Sequence, residues 1–434
     1  MTTDKQSSRE LLPLPSQSVN RTVLCNGVVV LVTENPAADI IAARIFIRAG
    51  ICEEMGKAGL AHLVSAVLTK GTEGMSSMEI AERVESIGAS LSADATADYF
   101  LLSLKTVSAD FAEILELACL LVRSPTFPEV EVELERRLAL QNIRSQQEQP
   151  FTIAFEQLRQ AIYQNHPYAS SGLGSEATVS QLSRADLQHY HQTYFRPDNL
   201  VISIAGRVTP SDAVTLVEQV FGDWQNPSIP LPTLTLPTLK VEPEQRSIHK
   251  DTQQSIVMLG YLAPSIYKPD YAALKLLSTY LGNGLSSRLF VELREKRGLA
   301  YEVSAFYPTR QEPATFIVYM GTAPENTAIA LSGLQKEVEL LCTELLSTDN
   351  LQAAKNKLLG QYALGKQTNT QIAQVYGWYE TIGLGISFDT QFQQEIVELT
   401  ANELQQAACR YLLAQYTSLV GPEESIKLFA QEKV

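Results

Sequence analysis

Long apolar runs are missing from this chain: no stretch of its 434 residues is continuous and apolar enough to cross a bilayer. Met1 to Asn20 are polar and hold no apolar core of signal-peptide length. Together these absences predict a soluble, cytoplasmic protein that makes no use of membranes. Positive charge is also scarce. With 34 Lys and Arg against 48 Asp and Glu, the formal net charge is −14, which argues against nucleic acid and anionic membrane as partners. Cys25, Cys52, Cys119, Cys342 and Cys409 are odd in number, scattered and without C-x-x-C spacing. Neither a disulfide framework nor a structural zinc knot follows, and the five read as small buried hydrophobes in a reducing compartment.

Phosphate-binding loops are lacking as well. Gly172-Leu173-Gly174-Ser175-Glu176-Ala177 fits G-x-G-x-x-A, but it follows a helical pattern from Phe155 to Tyr163 and the turn at His166-Pro167. A dinucleotide loop follows a strand, so this segment is expected to be an ordinary loop. Gly282-Asn283-Gly284 lacks the G-K-[ST] of a nucleotide phosphate loop. His189 and His191, two apart on a helix, point to different faces and are expected at the surface.

What the chain does have is length, apolar content and an internal echo. At 45% hydrophobic it can bury more than one core. Pro227, Pro230, Pro232, Pro237 and Pro243 fall together where neither helix nor central strand persists. This predicts a linker over 226–245 between a unit at 1–225 and a second at 246–434. Leu182-Ser183-Arg184-Ala185-Asp186-Leu187-Gln188 lines up without gaps on Leu399-Thr400-Ala401-Asn402-Glu403-Leu404-Gln405. Each copy opens a helix with a Ser or Thr cap and an acid three residues on, then leads to an apolar strand.

Period-2 patterns place strands at 27–32, 40–47, 98–106, 255–262, 301–307 and 314–320. Helices are expected at 59–69, 109–122, 130–147, 270–281 and from Ser286 or Ser287 to Lys296. Strands and helices do not alternate strictly, so the fold class is α+β: two similar domains, each a mixed or antiparallel sheet packed with helices.

The segment from Gly59 to Thr72 has the frame of an inverted zincin helix, H-x-x-E-H, in which two His bind zinc and the Glu activates water. Here the frame reads His62, Ser65, Ala66. A serine is a poor general base and an alanine has no ligand atom, so this segment alone cannot hold a working zinc.

Five runs, in order, carry a resemblance to the pitrilysin and mitochondrial-processing-peptidase family. They are Gly59-Leu60-Ala61-His62, Lys70-Gly71-Thr72, His166-Pro167-Tyr168, Phe195-Arg196-Pro197-Asp198-Asn199 with the apolar run to Gly206, and Leu285 through Arg294 and Gly298 to Tyr301. The resemblance implies a processing-peptidase-like fold around a cavity. It also implies a third zinc ligand from a later helix, and the matching position is Asn142, a weak ligand. Glu148 is the nearest acidic substitute in the sequence.

Gly298 is placed to end a helix through a left-handed cap, which puts Arg294 in the last turn and Tyr301 at the next strand. Two such donors suit a peptide carbonyl or the oxyanion formed from it. A plainer account also fits, with Arg294 offsetting the helix dipole and Tyr301 packing at a strand start. In the resembling family an Arg and a Tyr at this spacing bind substrate beside the zinc. The resemblance therefore implies a non-catalytic subunit with no cofactor of its own. It would act on peptide substrates with a homologous catalytic subunit that keeps H-x-x-E-H and carries the zinc. Leu91 to Thr96 occupies the region of the strand edge on which such substrates lie. A scaffold or peptide-binding protein that kept only the fold is the competing reading, with no chemical reason to retain Arg294 and Tyr301.

Overall fold

A computed structural model describes residues 18–54 and 56–431; the rest of the polar N-terminal segment lies outside them. The first half carries β1 (Asn20–Val23), β2 (Val29–Glu34), β3 (Ile40–Ile47), β4 (Gly71–Thr72), β5 (Met75–Ser76), β6 (Ser90–Ala95), β7 (Phe100–Val107) and β8 (Leu200–Gly206). Its helices are α1 (Leu60–Val67), α2 (Ser77–Ser86), α3 (Phe111–Arg123), α4 (Glu129–Gln146), α5 (Pro150–Tyr163), α6 (Glu176–Val179), α7 (Arg184–Tyr194) and α8 (Pro210–Phe221). The second half carries β9 (Gln245–His249), β10 (Ser255–Ala263), β11 (Glu302–Phe306), β12 (Ala314–Thr322) and β13 (Tyr416–Gly421). Around them lie α9 (Tyr271–Gly282), α10 (Thr327–Thr343), α11 (Thr348–Leu364), α12 (Asn369–Thr381), α13 (Phe388–Glu398), α14 (Ala401–Tyr411) and α15 (Glu423–Gln431).

Apart from the β4–β5 hairpin, the strands form two sheets, in the orders β1-β2-β8-β3-β7-β6 and β9-β13-β10-β12-β11. With β1 set aside, the two orders correspond strand for strand. In both, the last strand of the half pairs parallel with the first, β2 with β8 and β9 with β13. The other pairs in the two sheets are antiparallel. This is the α+β duplication expected from the echo between Leu182 and Leu399. Ser183 and Thr400 each close a capping box, with Asp186 and Glu403 accepting from the cap amides at 2.8 Å.

The two halves exchange a helix. On α5, Ala154, Leu158 and Ile162 pack against Ile256 and Met258 of β10, Ile317 of β12 and Val420 of β13. Reciprocally, Ile372, Ala373, Tyr376 and Tyr379 of α12 pack on Val29 and Leu31 of β2, Phe46 of β3 and Val201 of β8. The fit is close: a Cβ on Gly377 of α12 would sit 2.3 Å from the Phe46 ring, so only glycine lets the helix reach the sheet there. Polar contacts fix both crossings. Asn369 Nδ2 donates to the Ile40 carbonyl at 2.9 Å, and Ser418 Oγ donates to Gln157 Oε1 at 2.7 Å. Covered on both faces, β8, β12 and β13 are buried along their whole length, which is why they read as continuous apolar runs rather than alternating ones.

Several sequence expectations shift. The strand expected at 27–32 starts at Val29, because Gly27 turns the chain at φ 97°. The helix expected through Lys296 is a π-type segment, Phe290–Glu295, after a brief helical turn at Arg288-Leu289. No side chain caps that segment, and Ser287 Oγ is buried with no hydrogen-bond partner. His191 is buried rather than at the surface, its Nε2 2.7 Å from the Val122 carbonyl. His189, on the opposite side of α7, is exposed. The cysteines divide: Cys52 and Cys119 are buried, Cys342 and Cys409 half-buried, and Cys25 exposed. Residues 224–244 form neither helix nor strand. They are tied down by Arg196, which donates to the Ile229 carbonyl at 2.6 Å while gripping Asp198. No helix among the described residues is long and apolar enough to cross a membrane.

Candidate functional site

Helix α1 begins at Gly59, whose φ of 97° is left-handed, directly after the loop from Gly50. The buried Glu54 carboxylate accepts from the amides of Gly59 at 3.2 Å and Ala61 at 2.8 Å. These are donors that a helix start otherwise leaves unpaired. Burial nevertheless pushes Glu54 up to about 8 and its neighbour Glu53 up to about 7.

The degenerate frame lies on a largely covered face of α1, with Ser65 buried and Ala66 half-buried. His62 is half-buried, and burial holds it below the ordinary imidazole value although Asp94 and Glu135 pull the other way. The Ser65 hydroxyl is spent inside the helix, donating to the His62 carbonyl at 2.7 Å. Ala66 offers nothing. Asn142 and Glu148 are exposed, Asn142 on α4 and Glu148 past its end. Glu135, the carboxylate that reaches His62 electrostatically from α4, pairs with Lys70 at 3.1 Å. Among the described residues no three His, Cys, Asp or Glu side chains converge to hold a metal ion. The donor set at 62, 65, 66 and 142 therefore does not fit a catalytic zinc, which needs three ligands and a base beside its water.

The second half presents a different surface. Leu289 and Leu293 sink into the core, and Arg288 pairs with Glu337 of α10 at 2.7 Å, fixing the π-type segment. Gly298, at φ 62°, closes it: its amide donates to the Arg294 carbonyl and the Leu299 amide to the Leu293 carbonyl, both at 3.0 Å. That is the left-handed cap read from the sequence. Arg294 is exposed, its guanidinium 4.9 Å from the centre of the Phe290 ring. Tyr301 precedes β11, is 63% exposed, and is anchored through its amide to the Gly321 carbonyl, with no side-chain hydrogen bond among the described residues. Both side chains leave the same connection into solvent, and no hydrogen bond joins them. Gly88, at φ 62° between α2 and β6, makes the matching turn in the first half.

Residues 29–176 match the family described as Insulinase (Peptidase family M16), and residues 181–358 match Peptidase M16 inactive domain. The chain belongs to peptidase family M16. A Bacillus subtilis protein named an uncharacterized zinc protease is 26% identical over 358 residues, spanning 82% of this chain and 87% of its own. One from Mycobacterium bovis with the same description is 26% identical over 427 residues, 97% of each chain. Among solved structures, a peptidase M16 inactive domain from Pseudomonas fluorescens matches with TM-score 0.86 at 26% identity, covering 93% of this chain and 98% of that one. A protease from Helicobacter pylori matches the fold with TM-score 0.87 at 24% identity, covering 94% and 100%.

This M16 chain also brings together residues that no local motif announced. The Tyr168 hydroxyl donates to the half-buried Asp98 carboxylate, and Arg310, from the loop between β11 and β12, lies 5.6 Å over the Tyr168 ring. His166-Pro167-Tyr168 was legible as a family run, but its partners at 98 and 310 are remote in sequence. His166 Nδ1 accepts from the Tyr168 amide at 3.1 Å, so the run shapes this loop.

The buried acids give a pH signature. Glu53 and Glu54 keep their protons to higher pH when folded, so the folded state binds the extra protons above the ordinary 4.5 and stability falls as pH rises. His166 and His191, both pushed down to about 4 by burial, act oppositely between about 4 and 6.5. Below pH 6.5 the two pairs offset one another; from 6.5 to 8 the glutamates dominate, with Lys275, pushed down to about 8 by burial, beginning to oppose them at the upper end. Thermal denaturation should show stability falling across that window by about 2 kcal/mol. Glu54→Gln, which keeps an acceptor for only one of the two amides and so lowers stability at every pH, should still remove most of the fall. A melting temperature that rises from pH 6.5 to 8 would rule this out.

Proposed function

We propose that this M16 chain is the non-catalytic member of a two-chain zinc peptidase. In this reading Arg294 and Tyr301 bind substrate and stabilise the oxyanion in a site completed by a homologous, zinc-bearing sister with intact H-x-x-E-H. The observation that carries the reading is a contrast within one chain. The α1 face has lost its base and all but one of its ligands, whereas the Arg294 to Tyr301 connection keeps its cap, its anchoring and two exposed donors with no hydrogen-bond partner among the described residues. A guanidinium and a phenol so placed are suited to a developing negative charge on a peptide carbonyl. Residues 1–225 and 246–434 are the two units of the chain, joined by the 226–245 strap. A cytoplasmic location agrees with five free cysteines.

Co-expression with such a sister tests the pairing. A single mixed species on size exclusion is expected, with an interface of about 2,000 Å² or more as in obligate pairs. Peptide cleavage should appear only in the mixed species. Separate elution with no activity gained on mixing would favour a scaffold over a half-site.

A further inference from the structure

A cavity of about 360 Å³ lies between the two halves, lined by Thr96 and Ala97 from the first, Arg310 and Thr315 from the second, and Arg159 of α5. Two guanidiniums face one small space. Arg159 is 17% exposed, and its Nε is buried without a hydrogen-bond partner. Its Nη2 forms a loose ion pair with Glu156 one turn earlier on α5 at 3.7 Å, too long for a hydrogen bond, so its fork donors stay unused. Arg310 makes no ion pair and no side-chain hydrogen bond among the described residues, its guanidinium lying over the Tyr168 ring face. Asp98, whose charge Arg310 feels, is already engaged by the Tyr168 hydroxyl and the Gln311 amide. Burial pushes the Arg159 guanidinium below its ordinary value and the charge of Arg310 adds to this, while Glu156 only partly offsets it. Paired guanidiniums with unused fork donors in a part-buried pocket are matched by an oxyanion that bridges them.

The position of the cavity says which oxyanion. Thr96 and Ala97 directly follow β6, which pairs with β7 and has its other edge open at the margin of the sheet. An extended peptide added to that edge runs about 20 Å along six residues and ends at the cavity. We propose that Arg159 and Arg310 bind the carboxylate of an acidic peptide lying along β6. This rests on the peptide-handling reading above, but binding here needs neither the sister subunit nor cleavage, so the two stand or fall separately.

The test uses the full chain and two dye-labelled peptides, one carrying a single glutamate and its glutamine counterpart, with fluorescence anisotropy as the readout. Wild-type chain should prefer the glutamate peptide by about tenfold or more, the range of a charge-assisted hydrogen bond. Arg159→Gln and Arg310→Gln should each erase that preference while leaving the melting temperature and the binding of the glutamine peptide unchanged. Inorganic phosphate should compete with the glutamate peptide. Equal binding of the two peptides by wild type, including binding of neither, overturns the proposal, as does a preference that survives Arg310→Gln. If phosphate binds with dependence on both arginines while neither peptide does, the site takes a free anion and the peptide assignment is wrong.

Discussion

Arg294→Ala, assembled with the zinc-bearing sister, is expected to lower kcat by about 10²–10³ while leaving assembly intact, the usual cost of deleting one preorganised oxyanion donor. The side chain is exposed and its one described contact is the Phe290 ring at 4.9 Å. Its loss therefore costs the fold no more than about 1 kcal/mol. Tyr301→Phe removes only a hydroxyl that has no described partner inside the chain, so any loss of rate reports directly on substrate chemistry. The division between kcat and KM locates the pair. A fall in kcat with KM unchanged places them at the transition state, whereas a raised KM alone makes them ground-state anchors. Normal assembly with wild-type rates for both variants would leave the residues structural.

Expressed alone, residues 18–225 are expected not to fold cooperatively, and neither are residues 246–431. The exchange of α5 and α12 is the reason. Without α12, the face of the first sheet bearing Val29, Leu31, Phe46 and Val201 is open to water, and α5 has no sheet to cover. Each fully buried aliphatic or aromatic side chain contributes about 1.5–3 kcal/mol. Exposing four of them costs about 6–12 kcal/mol, comparable to the whole margin of about 5–15 kcal/mol by which a typical domain is stable. Co-expression of the two pieces should restore a folded complex, since the lost contacts are then available in trans. Sharp, independent melting transitions for the separated halves would show that the exchanged helices are incidental.

The duplication and the α+β class were legible because local rules carry them. The Ser183 and Thr400 capping boxes, the left-handed glycine at 298 and the apolar strands need only neighbours in sequence. The degenerate zinc helix is legible for the same reason: Ser65 and Ala66 stand where the frame needs Glu and His, and His62 alone remains. Four features were not legible, and each depends on tertiary context. Nothing in the amphipathic pattern of α5 says which sheet it covers, so the exchange of helices was invisible. The π-type segment differs from an α-helix by one hydrogen-bond register, and that register is set by packing of Leu289 and Leu293 and by the Arg288–Glu337 pair. The burial of His191 follows from its contact with the Val122 carbonyl, seventy residues upstream. The Arg159 and Arg310 cavity draws on both halves at once and leaves no motif.

The most direct measurement of the central claim is zinc content with peptide cleavage, taken on the purified chain, on its sister and on their mixture. The chain alone should hold no stoichiometric zinc and cleave nothing, because Ser65, Ala66 and Asn142 supply neither the base nor the missing ligands. The mixture should hold one zinc per pair and cleave in a chelator-sensitive way that depends on Arg294. Close to one zinc per chain in the isolated protein, together with chelator-sensitive cleavage by that protein alone, would contradict the account.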